Sequence, residues 1–109
     1  MVRVTTLGDL VHETAARTGS STATALVMPG VRFSYAELAD RIDHVAASLL
    51  ALGVGPRGTV GFLMPNVPDY VTALLATASI GAVGVPINGR FKANELSYVV
   101  DHADIEVLL

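Results

Sequence analysis

The chain has 109 residues, 51% of them hydrophobic and 16% charged, with a formal charge of −3 and no cysteine. That length fits one domain or a piece of one, and the apolar fraction excludes a disordered chain. With 7 Lys+Arg it lacks the basic footprint of a nucleic-acid partner, and without cysteine it has no disulfide scaffold, thiolate metal site or thiol nucleophile. A domain this small usually carries about 25% charge, so either something covers part of it or it is not a whole domain.

Met1 to Leu10 holds Arg3 and Asp9 and no uninterrupted apolar core, so it does not read as a signal peptide. Thr6 to Arg17 reads as a first short helix, with Thr6 and Asp9 at capping-box spacing and Leu7, Leu10, Val11 and Ala15 on one face. Gly19-Ser20-Ser21 ends it. Ala25–Met28 and Val31–Phe33 then flank Pro29-Gly30, a hairpin signal.

Ser34 and Glu37 form an S-x-x-E capping box that opens the clearest helix of the chain. Tyr35, Leu38, Ile42, Val45, Leu49 and Leu52 line its inner face by steps of three and four. Asp40, Arg41, Asp43 and His44 fall on the solvent side. Gly53 stands where a left-handed C-terminal residue is wanted.

Thr59 to Met64 reads as a strand, Pro65-Asn66 as a turn, and Asn66 as a cap for a helix with Pro68 in its first turn. That helix runs to about Ile80, and Ala82 to Ile87 forms a second buried strand. A third helix covers Ala93 to His102 with Leu96, Val99 and Val100 inward, and Ile105 to Leu109 begins another strand. The fold class is therefore α/β, with βαβ units forming part of a parallel sheet. Val71 to Gly89 carries no charged side chain. Its Thr72, Thr77, Ser79, Gly81, Gly84, Pro86 and Asn88 favour a buried helix, turn and strand over a membrane span. With neither leader nor span, a cytoplasmic protein is expected.

Candidate chemistry is sparse. Gly53, Gly55 and Gly58 match G-x-G-x-x-G, but they follow a helix and open a strand, the inverse of a dinucleotide loop. They read as a helix-terminating turn. Asp101-His102 with Asp104 reads as a solvated helix end rather than a metal site. His12-Glu13, and His44 with Asp40 and Asp43, read as polar helix faces. Ser20, Ser21 and Ser79 lack a base and an elbow context. No residue is assigned a catalytic, cofactor-binding or metal role.

Two stretches carry a family resemblance. Phe33-Ser34-Tyr35-Ala36-Glu37-Leu38 resembles the first motif of the adenylate-forming (AMP-dependent synthetase and ligase) superfamily, typically [LF]-[TS]-Y-x-E-L. Ala78-Ser79-Ile80-Gly81-Ala82-Val83-Gly84-Val85-Pro86-Ile87-Asn88 resembles its second, typically L-K-A-G-A-V-x-V-P-[LI]-[ND]. Ala51–Pro56, Met64-Pro65-Asn66, Asn88-Gly89-Arg90 and Glu95–Tyr98 continue the pattern in order, so the similarity runs from about Thr24 to Leu109. Asn88 followed by Arg90 is more similar to acyl- and aryl-CoA synthetases than to peptide-synthetase adenylation domains. Ser79-Ile80 stands where Lys-Ala is common, Arg57-Gly58 where Gly-Asp is usual, and Lys92-Ala93 where a Thr/Ser-Pro cap is usual.

The resemblance implies the N-terminal portion of a larger adenylate-forming domain, here residues 1–109 and incomplete. It also implies an enzyme of fatty-acid metabolism that uses ATP and Mg²⁺ to make an acyl-adenylate and then transfers the acyl group to coenzyme A. The Gly-rich phosphate loop, the nucleotide-binding acids and the catalytic lysine of that family have no counterpart in this sequence, so no cofactor is assigned to this segment. The expected partner is the remainder of the domain or a completing chain. Two further readings stay open: a small self-standing α/β binding module, and a peripheral membrane or interaction piece using Val71 to Ile87.

Overall fold

A computed structural model describes residues 6–17 and 19–109. The Met1–Thr5 part of the leader reading lies outside the described residues. In chain order the elements are a 3₁₀ turn Leu7–Asp9, α1 Leu10–Ala16, β1 Thr24–Met28, β2 Val31–Ser34, α2 Tyr35–Ala51 and β3 Thr59–Phe62. Then follow α3 Pro68–Ser79, β4 Val83–Pro86, α4 Ala93–His102 and β5 Val107–Leu108.

Local chemistry sets the helix ends. The Thr6 hydroxyl accepts from the Asp9 amide at 3.2 Å, but the first turn it caps is 3₁₀, and α1 follows it. At α2 the capping box is complete: the Glu37 N–H donates to Ser34 Oγ at 3.1 Å and the Ser34 N–H donates to Glu37 Oε1 at 3.0 Å. At the other end the Gly53 N–H reaches the Leu50 carbonyl and the Val54 N–H the Leu49 carbonyl, with Gly53 at φ +91°. This is a Schellman ending. It corrects the expected stripe at its last position, because Leu52 is the C-cap and 66% exposed, while Val54 folds back beside Leu49 to take the buried place.

The Pro29-Gly30 turn does join an antiparallel hairpin, β1 to β2. The second sheet has the order β4-β3-β5 and is parallel throughout, so both its connections cross over. Right-handed crossovers then put α3 and α4 on opposite faces. On the α3 face Val60 and Phe62 are fully buried, with the Phe62 ring centroid 5.6 Å from that of Tyr70. A Cβ built on Gly84 would lie 2.7 Å from Phe62 Cε2 and 3.4 Å from Leu74 Cδ1. On the opposite face one built on Gly61 would meet the side chains of Ile105, Ile87 and Leu108 at 2.9–3.1 Å. Helices α1, α2 and α3 pack together over the first face, and a Cβ on Gly8 would press into the α3 backbone at Ala78 and Ser79.

Four further expectations need correction. β4 is an outer strand rather than a buried one: Val83 is 51% exposed and Pro86 is exposed, because strand order is set by partners distant in sequence. Asn66 does not cap α3, since Pro68 fixes the first helical position and leaves Val67 as N-cap with no side-chain bond. Arg41 is not a lone solvated charge: on the solvent side, with its side chain 41% exposed, it pairs with Asp69 across to α3. Leu96, Val99 and Val100 are only half covered, and no residue of α4 is buried. The uncharged Val71–Gly89 stretch forms α3, a turn with Gly81 at φ +74°, and β4. No helix among the described residues is long and apolar enough to cross a membrane.

Two predictions follow from this packing. Gly84→Ala overpacks the Phe62 ring and is expected to lower stability by about 1–3 kcal/mol, read from urea unfolding against Gly55→Ala as a control, where an added Cβ meets nothing within 4 Å. The Ser34 bonds hold the Glu37 carboxyl below its ordinary value of 4.5. A lowered folded value gives stability that is present above 4.5 and lost as pH falls through the folded value. Wild type is therefore more stable than Glu37→Gln at neutral pH, and thermal melts between pH 7 and pH 3 should show that gap closing on the acid side.

Candidate ligand cleft at the carboxyl ends of β3 and β4

β3 and β4 are neighbours and parallel, yet the chain leaves β3 toward α3 on one face and β4 toward α4 on the other. Adjacent connections that part to opposite faces leave a crevice at the carboxyl ends of the strands, where open α/β sheets bind ligands. A cavity of about 720 Å³ lies there, walled by Leu63–Asn66 from the loop after β3 and Asn88–Arg90 from the loop after β4.

Each wall has a local cause. The Val67 N–H donates to the Pro65 carbonyl at 2.8 Å, which folds the first loop over within a few residues. The Ile87 N–H donates to the Phe62 carbonyl at 2.9 Å and extends the ladder one step past β4. Asn88 Oδ1 then accepts the Arg90 N–H at 3.0 Å and the Asn88 carbonyl accepts the Phe91 N–H, so Asn88 turns the chain by its own side chain. Asn66, Asn88 and Arg90 are exposed at the rim.

The donor set limits the chemistry. Among the described lining residues Arg90 is the one charged side chain, and there is no carboxylate, histidine or hydroxyl. Two amides and a guanidinium can hold a polar or anionic edge, but they supply no general base and no nucleophile at neutral pH. Among the described residues no group of three or more His, Cys or acidic side chains could hold a metal ion. A triphosphate with Mg²⁺ needs a cradle of backbone amides, several cations and acidic ligands. These residues do not fit that group.

The residues weighed from sequence lie elsewhere. His12 Nε2 is 2.7 Å from Asp43 Oδ1, so the polar faces of α1 and α2 meet through this exposed pair. His44 Nδ1 lies 2.7 Å from the Asp40 carbonyl in its own helix. The His102 ring stacks on Tyr98 at 5.3 Å. Ser79 Oγ donates to the Ala76 carbonyl. The Gly53, Gly55 and Gly58 turn precedes β3, at the end of the sheet opposite the cleft. Asn66, Asn88 and Arg90 carried no site assignment from sequence. The signal that could have found them is two turn clusters following consecutive parallel strands whose helices part.

Comparison with known proteins decides the family. The sequence pattern of the AMP-binding enzyme family matches residues 11–109. The chain belongs to that family. It is 31% identical over 103 residues to the acyl-CoA ligase sidI of Aspergillus fumigatus, covering 94% of this chain and 18% of that protein. It is 34% identical over 97 residues to triostin synthetase I of Streptomyces triostinicus, covering 89% of this chain and 18% of that protein. Among solved structures, the fatty acyl CoA synthetase of Mycobacterium tuberculosis superposes with a TM-score of 0.88 at 32% identity, over 94% of this chain and 20% of its own. The N-terminal domain of FACL13 from the same organism gives 0.89 at 32% identity, over 96% and 26%. The chain thus resembles the N-terminal part of acyl-CoA synthetases and spans about a fifth of the synthetase structure.

Proposed function

We propose that this AMP-binding segment, residues 1–109, is the N-terminal scaffold of an ATP-dependent acyl-CoA synthetase. It contributes one wall of the ligand cleft, and the remainder of the adenylate-forming domain, or a completing chain, supplies the other. The observation that carries the reading is the cleft itself: it stands where α/β enzymes hold ligands, yet its walls offer only Asn66, Asn88 and Arg90. In the complete enzyme ATP, Mg²⁺ and coenzyme A are held by groups from elsewhere. When bound, ATP would supply the adenylyl group for the carboxylate with pyrophosphate leaving, and coenzyme A the thiol that then takes the acyl group as AMP leaves. Residues of this chain bind and orient rather than transfer protons. The proposed setting is cytoplasmic fatty-acid activation.

Peripheral membrane contact through Val71 to Ile87 is not part of this proposal, because Ala73, Ala76 and Ile87 of that stretch are buried. A self-standing binding module is the second reading, and the closed core between β3 and the helices α1 to α3 favours it.

The test is ATP–pyrophosphate exchange by the 109-residue chain with a panel of fatty and aromatic acids. No exchange above the enzyme-free rate is expected, and acid-dependent turnover would sink the proposal. Titration of the same chain with each acid alone addresses the module reading, which requires saturable binding.

A further inference from the structure

The start of α3 is poorly secured by its own sequence. Its N-cap is Val67, which offers no side-chain acceptor, and Pro68 occupies the first helical position. An uncapped helix end frays. This end directly follows Leu63–Asn66, which wall the cleft, so fraying here moves the wall.

Arg41 of α2 reaches across to this end. Its Nη2 donates to Asp69 Oδ1 at 2.8 Å, and Asp69 lies in the first turn of α3. Its guanidinium carbon sits 4.7 Å from the ring centroid of Phe33, on β2. Its Nε is covered and has no hydrogen-bond partner among the described residues, while the side chain as a whole is 41% exposed and Asp69 72% exposed. One side chain therefore joins the hairpin, α2 and the beginning of α3. A planar, forked cation suits this place because it can lie on a ring face and donate sideways to a carboxylate at once.

We propose that Arg41 is a positioning residue for the ligand cleft: held between Phe33 and Asp69, it anchors the uncapped first turn of α3 through the Asp69 carboxylate and so fixes the Leu63–Asn66 wall. The proposal rests on the cleft at the carboxyl ends of β3 and β4 being the ligand site, but its test needs no activity, so the two can fail separately.

The experiment compares wild type, Arg41→Gln and Arg41→Lys in the 109-residue chain by amide hydrogen exchange and by methyl resonances of methionine. Met64 lines the cleft and Met28 lies in the hairpin. In Arg41→Gln the Thr72 and Ala73 amides are expected to exchange about two- to fivefold faster relative to Ile42 and Val45. The Met64 methyl resonance should move as well, with Arg41→Lys restoring part of both effects. A merely structural role would lower the melting temperature and speed all amides alike, leaving Met64 in place. That result overturns the proposal, as does a Gln variant indistinguishable from wild type.

Discussion

The fold depends on how Phe62 is housed in the central strand. Its ring is fully buried between the sheet and α3, against Tyr70, and it fits because the neighbouring strand presents Gly84, the partner of Val60, on the diagonal beneath the ring. One residue earlier the opposite face carries Gly61, leaving room for Ile87, Ile105 and Leu108 to close over it. Burying a Phe side chain is worth about 1.5–3 kcal/mol, and here that gain requires β4 on one side and β5 on the other. Once β3 is central and parallel to both neighbours, its connections must part to opposite faces. The cleft at the carboxyl ends of β3 and β4 is thus a consequence of how the core is packed.

What the sequence made legible is local. The Ser34–Glu37 box, the Gly53 ending and the Pro29-Gly30 hairpin each involve residues a few positions apart, and each takes the conformation its chemistry favours. What it hid is non-local. Arg41 looks like a solvated helix charge until α3 brings Asp69 to it. Ala82–Ile87 looks doubly buried until the strand order makes β4 an edge. Asn66, Asn88 and Arg90 are ordinary turn letters until two parallel strands place their loops side by side. Arg57 shows a smaller conflict. It adopts φ +67°, a left-handed conformation that a glycine takes more easily, and it is held there by its N–H bond to the Gly81 carbonyl at 2.9 Å.

The composition also gains a physical location. A charged fraction of 16% looked low for a chain of 109 residues. Where β3 meets α1, α2 and α3 the apolar residues are enclosed, as at Val60, Phe62 and Ala76. Away from that contact they reach the surface: Leu7, Leu10, Val27, Leu50 and Leu52 on the outer helices and hairpin, and Val83, Tyr98 and Leu108 around α4 and the sheet edges, with no residue of α4 buried. The excess is therefore spread over the margins of the structure, α4 included. That exposure accords with a segment spanning about a fifth of the synthetase structure it superposes on.

Native-state hydrogen exchange on the 109-residue chain tests this division most directly, because it reads protection residue by residue. The account predicts that the Gly61, Phe62 and Leu63 amides exchange only through global unfolding, while the Leu96 to Val100 amides of α4 exchange orders of magnitude faster by local opening. Equal protection of α4 and β3, or rapid exchange at Phe62, would contradict it.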